Sequence, residues 1–239
     1  AQEARVTDEQ KSNIHVPDLI ADLLEQIGVE ARDSEYVDPN SGVSARLSIS
    51  AYENLLSAAE RRAILNKEEK TTARIADIFG VIPSITGKVE LVYEGEQEGP
   101  NKIAHILINK AIRNQFLNYF PNPEKLKRQQ EMNPYNRITD YFDDSRTVKL
   151  LLDASNKDYA ATLEKIPGLS DLIKKFHPKV SGEDRLLLME FALHGMAEYS
   201  FLSKYPLESG VEFRDMMSSM LTESDEDYDD EFRELRDII

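Results

Sequence analysis

Apolar residues recur at helical spacing along most of this chain, and this periodicity constrains the fold more than any other feature. The clearest example begins near Pro17 and continues to about Ser34. The apolar residues on one face of this segment are Leu19, Ile20, Leu23, Leu24, Ile27 and Ala31. A stripe with a period of about 3.6 residues predicts an amphipathic helix, and proline suits the first turn of a helix. The pattern therefore predicts a mainly α protein with at most one or two short strands.

Turn residues and runs of charge divide the helical pattern into segments. Further helices are expected at residues 44–66, 72–80, 101–120, 124–131, 135–142, 155–165, 170–176, 181–204 and 209–221. Residues 88–92 alternate like a strand, and residues 147–152 suit a lone strand. The segment 94–100 combines two glycines and a proline with repelling carboxylates, a composition that disfavours regular structure. It predicts a linker between two helical domains.

These turn residues and runs of charge divide the chain into five predicted parts. In chain order they are an N-terminal tail, a small helical bundle, the linker, a second helical domain and an acidic tail, at residues 1–15, 16–93, 94–100, 101–221 and 222–239. A chain of 239 residues with 41% hydrophobic residues can bury a core without covalent staples. It contains no cysteine, which excludes disulfide frameworks, thiolate nucleophiles and cysteine-ligated metal sites.

The net charge of −15 narrows the range of partners. Such a charge repels nucleic acid backbones and anionic lipids, so neither nucleic acid nor a membrane is expected as a partner. The N-terminus has no signal-peptide pattern and the chain has no apolar run of membrane-spanning length, which favours a cytoplasmic location. The tail at 222–239 has nine acidic residues and only Arg233 and Arg236, a net charge of −7. Such a block is typically solvated, although its residues Phe232, Leu235, Ile238 and Ile239 have helical spacing and suit docking on a partner.

The run from Ser41 to Arg46 is the one stretch that resembles part of a chemical site. Ser44 suits the N-cap of the helix that follows, with Ala45 as the first helical residue and Arg46 as the second. Free backbone N–H groups, the positive end of the helix dipole and a guanidinium then converge, a combination that favours an anion. The same residues also suit a helix start without any ligand. A rival capping box, Ser50 with Glu53, would start the helix six residues later.

Other motifs for chemistry are missing from the sequence. Gly87 and Lys88 lack the spacing and the following Ser or Thr of a phosphate-binding loop. The four histidines show no metal-ligand spacing; they are His15, His105, His177 and His194. The carboxylates are numerous, but no spacing singles out an acid and a base. We therefore expect no catalytic residue and no metal ligand in this chain.

The run Ser41-Gly42-Val43-Ser44-Ala45-Arg46-Leu47 resembles the C-terminal lid of AAA+ ATPases of the MoxR and magnesium-chelatase subunit I group. Further phrases that resemble this family are Ala51-Tyr52-Glu53-Asn54-Leu55, Ala59-Glu60-Arg61-Arg62-Ala63, Gly87-Lys88-Val89-Glu90-Leu91, Ile166-Pro167-Gly168-Leu169 and Leu188-Met189-Glu190-Phe191. The resemblance spans roughly residues 16–204. It implies a lid-type helical bundle. In this bundle Ser44 and Arg46 belong to the sensor-2 segment, and Arg46 is the arginine that reaches the phosphates of ATP.

The chain departs from this family in one respect. It has no Walker A loop, no Walker B strand and no arginine-finger region, and the resemblance places the nucleotide-binding core before Ala1. The parent protein would then bind ATP and Mg²⁺, whereas this chain alone is expected to bind no cofactor and to be inactive as an ATPase.

The resemblance also implies partners. These are the AAA+ core of the same protein, neighbouring subunits of a ring and a von Willebrand factor A-domain protein, in ATP-driven remodelling or chelatase-type assembly. One alternative is a free-standing all-α adaptor that binds protein through Phe116, Tyr119 and Phe120, or through a stripe formed by Met216, Met217 and Met220. A further alternative is a fragment of a sigma-54-type regulatory ATPase, although the acidic charge argues against direct DNA contact.

Overall fold

The computed structural model describes residues 4–126, 133–143 and 146–216. Its helices are α1 (Asp8–Asn13), α2 (Asp18–Arg32), α3 (Leu47–Asn66), α4 (Ile75–Ile78), α5 (Ile82–Thr86), α6 (Tyr93–Glu98), α7 (Pro100–Tyr119), α8 (Pro123–Leu126), α9 (Asn136–Asp143), α10 (Asn156–Glu164), α11 (Leu169–Phe176) and α12 (Gly182–Glu198). Its strands are β1 (Ile14–His15), β2 (Thr71–Thr72), β3 (Val148–Leu151), β4 (Ser203–Leu207) and β5 (Gly210–Arg214). The prediction of a mainly α fold is confirmed, and the strands of the described residues are few and short.

The helix α7 lies at the centre of the fold. It packs against α2, α5, α6 and α12. Its buried residues occupy both sides of the helix and are Ile103, Ala104, Leu107, Ile108, Ala111, Ile112 and Phe116. A stripe this wide lets one helix contact neighbours on two faces, whereas a surface helix buries only one face.

One continuous hydrophobic core extends from Leu19 to Phe213 and includes residues on both sides of the segment 94–100. The expected irregular structure of that segment was wrong, because residues 93–98 form α6 and α7 begins at Pro100. Gly99 makes the turn between the two helices with a φ of 91°, a conformation that glycine adopts at little cost. The domain limits at 16–93 and 101–221 stay predictions.

The segment predicted as an N-terminal tail contains regular structure. Residues 8–13 form α1, and β1 pairs in parallel with β2, with Ile14 opposite Thr71. Ile14 is buried against Leu56 and Ala59 of α3. These contacts attach the N-terminal residues to the helical bundle.

The C-terminal residues form a sheet in place of the helix predicted at 209–221. The strands β3, β5 and β4 are antiparallel in that order, with Val148 and Lys204 both opposite Phe213. β5 is the central strand of this sheet, and its residues Val211, Glu212 and Phe213 are all buried. The strand expected at 147–152 is confirmed as β3, but it is not a lone strand, because it pairs with β5. The rest of the predicted helix, including Met217 and Met220, lies outside the described residues.

No helix within the described ranges combines the length and apolar character that crossing a bilayer requires.

The contact between α12 and α7 depends on a glycine. A Cβ atom at Gly195 would overlap the aromatic ring of Phe116, so only glycine admits this close approach. Gly28 in the middle of α2 differs, because the nearest heavy atom to an added Cβ would be 3.8 Å away on Arg32.

These two glycines give opposite predictions for alanine substitution. Gly195→Ala should lower the free energy of unfolding by about 1–3 kcal/mol, since Phe116 must move in a packed core. Gly28→Ala should raise it by roughly 0.5–1 kcal/mol, since alanine loses less backbone entropy in a helix. Urea denaturation followed by circular dichroism measures both changes. An unchanged midpoint for Gly195→Ala would contradict the packing described above.

Candidate functional site

The loop before α3 is attached to the segment after α5 by backbone hydrogen bonds. The Val43 and Val89 residues form one isolated antiparallel bridge, and Val37 and Leu91 form another. The Ser44 amide donates to the Lys88 carbonyl at 3.0 Å. The strand-like alternation of residues 88–92 therefore corresponds to two short bridges. They hold the candidate site in a fixed position relative to the bundle.

Gly42 and Asp38 shape this loop. The Gly42 amide donates to the Asp38 carbonyl at 2.9 Å, and a Cβ atom at Gly42 would overlap that same oxygen. The Asp38 carboxylate accepts from the amides of Ser41 and Asn40 at 3.0 and 2.7 Å. These hydrogen bonds, that from Ser41 first, lower the pKa of Asp38. The glycine of the motif therefore has a structural role.

The predicted helix start needs a correction of two residues. The helix α3 begins at Leu47, and Arg46 is its N-cap rather than its second residue. The Ser44 Oγ accepts from the Arg46 amide at 3.3 Å, and the Ser44 carbonyl accepts from the Leu47 amide at 2.9 Å. Ser44 thus closes a turn that precedes the helix. The rival start at Ser50 was wrong, because the Ser50 amide already donates to the Arg46 carbonyl at 3.0 Å.

The side chain of Arg46 has no partner among the residues that the structure describes. Its side chain is exposed, and within the described ranges no acceptor lies at hydrogen-bond distance from its guanidinium. The amides of Ser48 and Ile49, in the first turn of α3, donate to no acceptor among the described residues. A free guanidinium beside free helix amides can bind an anion.

The neighbouring cleft has the wrong charge for an anion. It has a volume of about 430 Å³ and is lined by Glu90, Glu96 and apolar residues from α5 and α7. The Glu90 carboxylate accepts from the Ser41 hydroxyl at 2.5 Å. Arg46 does not line this cleft, so an anion on Arg46 would bind at the protein surface.

The aromatic surface considered for an adaptor is not exposed. Phe116 and Phe120 are both buried in the core, where their ring centroids lie 5.2 Å apart. Tyr119 is partly buried, and its hydroxyl donates to Asp22 at 3.2 Å. Met216 is partly buried near the Ser203 hydroxyl, while Met217 and Met220 lie outside the described residues. The prediction that these aromatic residues bind a partner was therefore wrong for Phe116 and Phe120.

Sequence reasoning missed a buried polar cluster between α3, α4 and α12. Arg62 donates to both carboxylate oxygens of Asp77, at 3.1 and 2.8 Å. It also donates to the Thr71 hydroxyl at 2.8 Å and to the Thr72 carbonyl at 3.0 Å. The signal was present, because Arg62 lies on the apolar face of α3, three residues after Ala59 and seven after Leu55.

Glu190 extends this cluster into α12. One oxygen of its carboxylate accepts from the Tyr159 hydroxyl at 2.9 Å and the Ile75 amide at 3.0 Å. The other oxygen is buried without a partner among the described residues. Burial raises the pKa of Glu190 to about 7, against the opposing effects of the Tyr159 hydrogen bond and the Arg74 charge.

The cavity beside this cluster is small. It has a volume of about 50 Å³ and is lined by Arg74, Tyr159 and Glu183 with neighbouring residues. A space of this size suits a water molecule rather than an organic ligand. The cluster therefore connects helices and does not form a substrate site.

His105 and His194 both lie beside the ring of Phe79, whereas His15 and His177 have other neighbours. His15 is 3.2 Å from Asp184, and His177 is 2.8 Å from the Tyr119 carbonyl. His194 is fully buried, which lowers its pKa well below the ordinary value, and burial also lowers the pKa of His105. No group of three or more histidine or acidic side chains within the described residues is placed to hold a metal ion.

Comparisons with protein-family models, curated proteins and solved structures found no match to this chain.

The raised pKa of Glu190 predicts a pH-dependent stability. Folding favours its protonated form, so its contribution is fully present below the unfolded value of 4.5 and is lost as the pH rises through about 7. Glu190→Gln keeps the acceptor oxygen but cannot ionise. Relative to the wild type, this variant should gain roughly 3 kcal/mol of stability between pH 4 and pH 8.

Urea denaturation at a series of pH values measures this difference. His105 and His194 are present in both proteins, so their titration cancels in the comparison. Parallel stability curves for the wild type and Glu190→Gln would show that Glu190 does not titrate in this window.

Proposed function

We propose that this chain supplies the lid and a helical extension of an AAA+ ATPase of the MoxR and magnesium-chelatase subunit I group. In this proposal Arg46 is the sensor-2 residue and contacts the phosphates of ATP bound by a separate nucleotide-binding core. One observation carries the proposal. Gly42 and Ser44 have structural roles in the motif, whereas the guanidinium of Arg46 is exposed without a partner among the described residues.

The chemistry of the helix start suits a phosphate group. A guanidinium can donate two parallel hydrogen bonds to phosphate oxygens. The amides of Ser48 and Ile49 and the helix dipole add donors and positive potential at the same end of α3. A hydrogen bond to a charged group contributes about 1.5–3 kcal/mol, which corresponds to roughly a 10- to 100-fold effect on binding.

The structure also offers a route from Arg46 to the helical extension. The 20 residues of α3 form one unbroken helix, which spans about 30 Å. Near its far end, Arg61 donates to Asp153 at 2.8 Å, and the Asn66 side chain donates to the Asp153 carbonyl at 2.9 Å. A change in the position of Arg46 on phosphate binding would therefore move the segment between β3 and α10.

The remaining parts of the proposal follow from the resemblance. The core would supply the phosphate-binding loop and the Mg²⁺ ligands, so this chain alone would not hydrolyse ATP. Subunits would form a ring in the cytoplasm, with a von Willebrand factor A-domain protein as the partner of the extension. ATP turnover in the ring would drive remodelling or chelatase-type assembly.

Substitution of Arg46 tests the proposed contact. In the ATPase that contains the nucleotide-binding core, Arg46→Ala should lower the ATPase rate or the ATP affinity by about 10- to 100-fold, because one charge-assisted contact is lost. Arg46→Lys should retain part of the rate or affinity that Arg46→Ala loses, since lysine keeps the charge but cannot make two parallel hydrogen bonds. Steady-state kinetics and nucleotide titration measure both.

The matched control is Arg137→Ala, which removes an exposed arginine whose partner is Asp171. This control should leave the kinetics unchanged, and both variants should keep the helical circular dichroism of the wild type. Unchanged kinetics in Arg46→Ala would contradict the proposal. So would measurable Mg·ATP affinity of this chain by itself, because the proposal assigns the pocket to the core.

A further inference from the structure

A second cleft lies between α7 and the hairpin formed by β4 and β5, with a volume of about 520 Å³. A volume between about 300 and 1,000 Å³ is typical of small-molecule sites. The hairpin wall of the cleft is fixed in position, because a Cβ atom at Gly210 would overlap the Leu150 carbonyl oxygen of β3. The apolar residues that line the cleft are Phe79, Leu152, Pro206, Leu207 and Val211.

The charged groups of this cleft are already neutralised within the protein. Lys102 donates to Glu98, and Lys204 donates to Glu198 at 2.5 Å. Burial, together with the charge of Lys204, lowers the pKa of His105, so its imidazole is neutral at pH 7. No acidic side chain of the described residues lines the cleft. An ionic ligand would therefore lose water without gaining a free counter-charge, and the cleft favours an uncharged ligand.

Two polar side chains of α7 offer unused hydrogen-bonding atoms to the cleft. The Asn109 oxygen accepts from Lys204 at 2.9 Å, which leaves the amide nitrogen of Asn109 as a donor. His105 lies one helical turn earlier and also lines the cleft, and it has no hydrogen-bond partner among the described residues. A neutral imidazole has one donor and one acceptor nitrogen. These two side chains can therefore orient a ligand from one wall.

A buried histidine adjoins the same wall. The ring centroid of Phe79 lies 5.7 Å from that of His105 and 6.3 Å from that of His194. His194 is fully buried, and neither of its ring nitrogens has a partner among the described residues. Buried polar groups with a purely structural role are nearly always hydrogen-bonded. Unused polar atoms around an apolar cleft are instead what a ligand site requires.

We propose that this cleft binds an uncharged, largely apolar small molecule that has a flat ring and one hydrogen-bond acceptor, such as a ketone oxygen. The ring packs against Phe79 and the hairpin residues Leu207 and Val211, since aromatic side chains favour contact with flat rings. The acceptor takes a hydrogen bond from the Asn109 amide. This binding does not depend on the proposed contact of Arg46 with nucleotide.

Fluorescence titration with prodan tests the site. Prodan is an uncharged naphthalene that carries a ketone, and its emission shifts to shorter wavelength in apolar surroundings. The wild type should bind one prodan per chain with this shift. The matched anionic dye, in which a sulfonate replaces the ketone, should bind at least about 10-fold more weakly, because the cleft has no free cation for it.

Asn109→Asp tests the hydrogen bond. Aspartate keeps an oxygen that accepts from Lys204, but it lacks the NH₂ donor and repels the ketone oxygen. Prodan affinity should fall by about 10-fold or more. Asn118→Asp is the matched control, because it makes the same change at an exposed position of the same helix that does not line the cleft. It should leave the affinity unchanged, and circular dichroism confirms that both variants are folded.

Methyl NMR spectra of the wild type locate the bound dye, and they test the site even if Asn109→Asp fails to fold. Prodan should shift the methyl signals of Leu152, Leu207 and Val211. The signals of Ile64 and Leu65, which are 69% and 56% exposed and do not line the cleft, should not change. Equal shifts at the two exposed residues, equal affinity for the sulfonate, or unchanged affinity in folded Asn109→Asp would each overturn the proposal.

Discussion

The arrangement of the helices depends on the buried ion pair between Arg62 and Asp77. These side chains are 1% and 3% exposed, and a guanidinium removed from water to this extent must have nearly all of its donors paired. Its partners lie on two other elements, since Asp77 is in α4 while Thr71 and Thr72 form β2. A shift of α4 or β2 relative to α3 would leave a buried charge unpaired. The pair therefore selects one arrangement of these elements, even where apolar packing alone would tolerate several.

The segment between β2 and α4 connects this pair to the rest of the molecule. Asp77 also accepts from the backbone amide of Arg74 at 2.8 Å, and the Arg74 side chain donates to the Ala154 carbonyl at 2.9 Å. The Arg74 guanidinium lies over the ring of Tyr159 at 4.0 Å from its centroid, and Tyr159 donates to Glu190. One chain of charged and polar contacts thus runs from α3 through α4 to α10 and α12. It joins the segments that the sequence assigns to two domains, which is consistent with the continuous hydrophobic core that extends from Leu19 to Phe213.

The sequence predicted those features that are local. The long helices follow from apolar periodicity, and the loop at Gly42 and Ser44 follows from the residue types that suit a helix start. Two elements were missed for local reasons as well. No apolar stripe indicates α6, because Gly95 is its one buried residue. The apolar residues Val211 and Phe213 alternate only briefly, and together with the methionines that follow they predicted a helix instead of β5. The polar cluster was missed for a different reason, because Glu190 contacts Ile75, which is 115 positions away, and no spacing rule connects them.

The two arginines near the ends of α3 show how burial separates a structural charge from one available to a ligand. Arg62 has its donors satisfied by protein groups, whereas no described group accepts from Arg46 sixteen residues earlier. The contacts of Arg62 therefore give it a structural role, whereas the described residues give Arg46 none. Because both belong to one helix, about 24 Å apart along its axis, an anion bound at Arg46 would act on the same rigid body that Arg62 holds against α4. Any movement caused there must either carry α4 along or break the buried pair, and breaking it costs about 3–5 kcal/mol. A ligand contact of about 1.5–3 kcal/mol is too weak for that, so α3, β2 and α4 must move together.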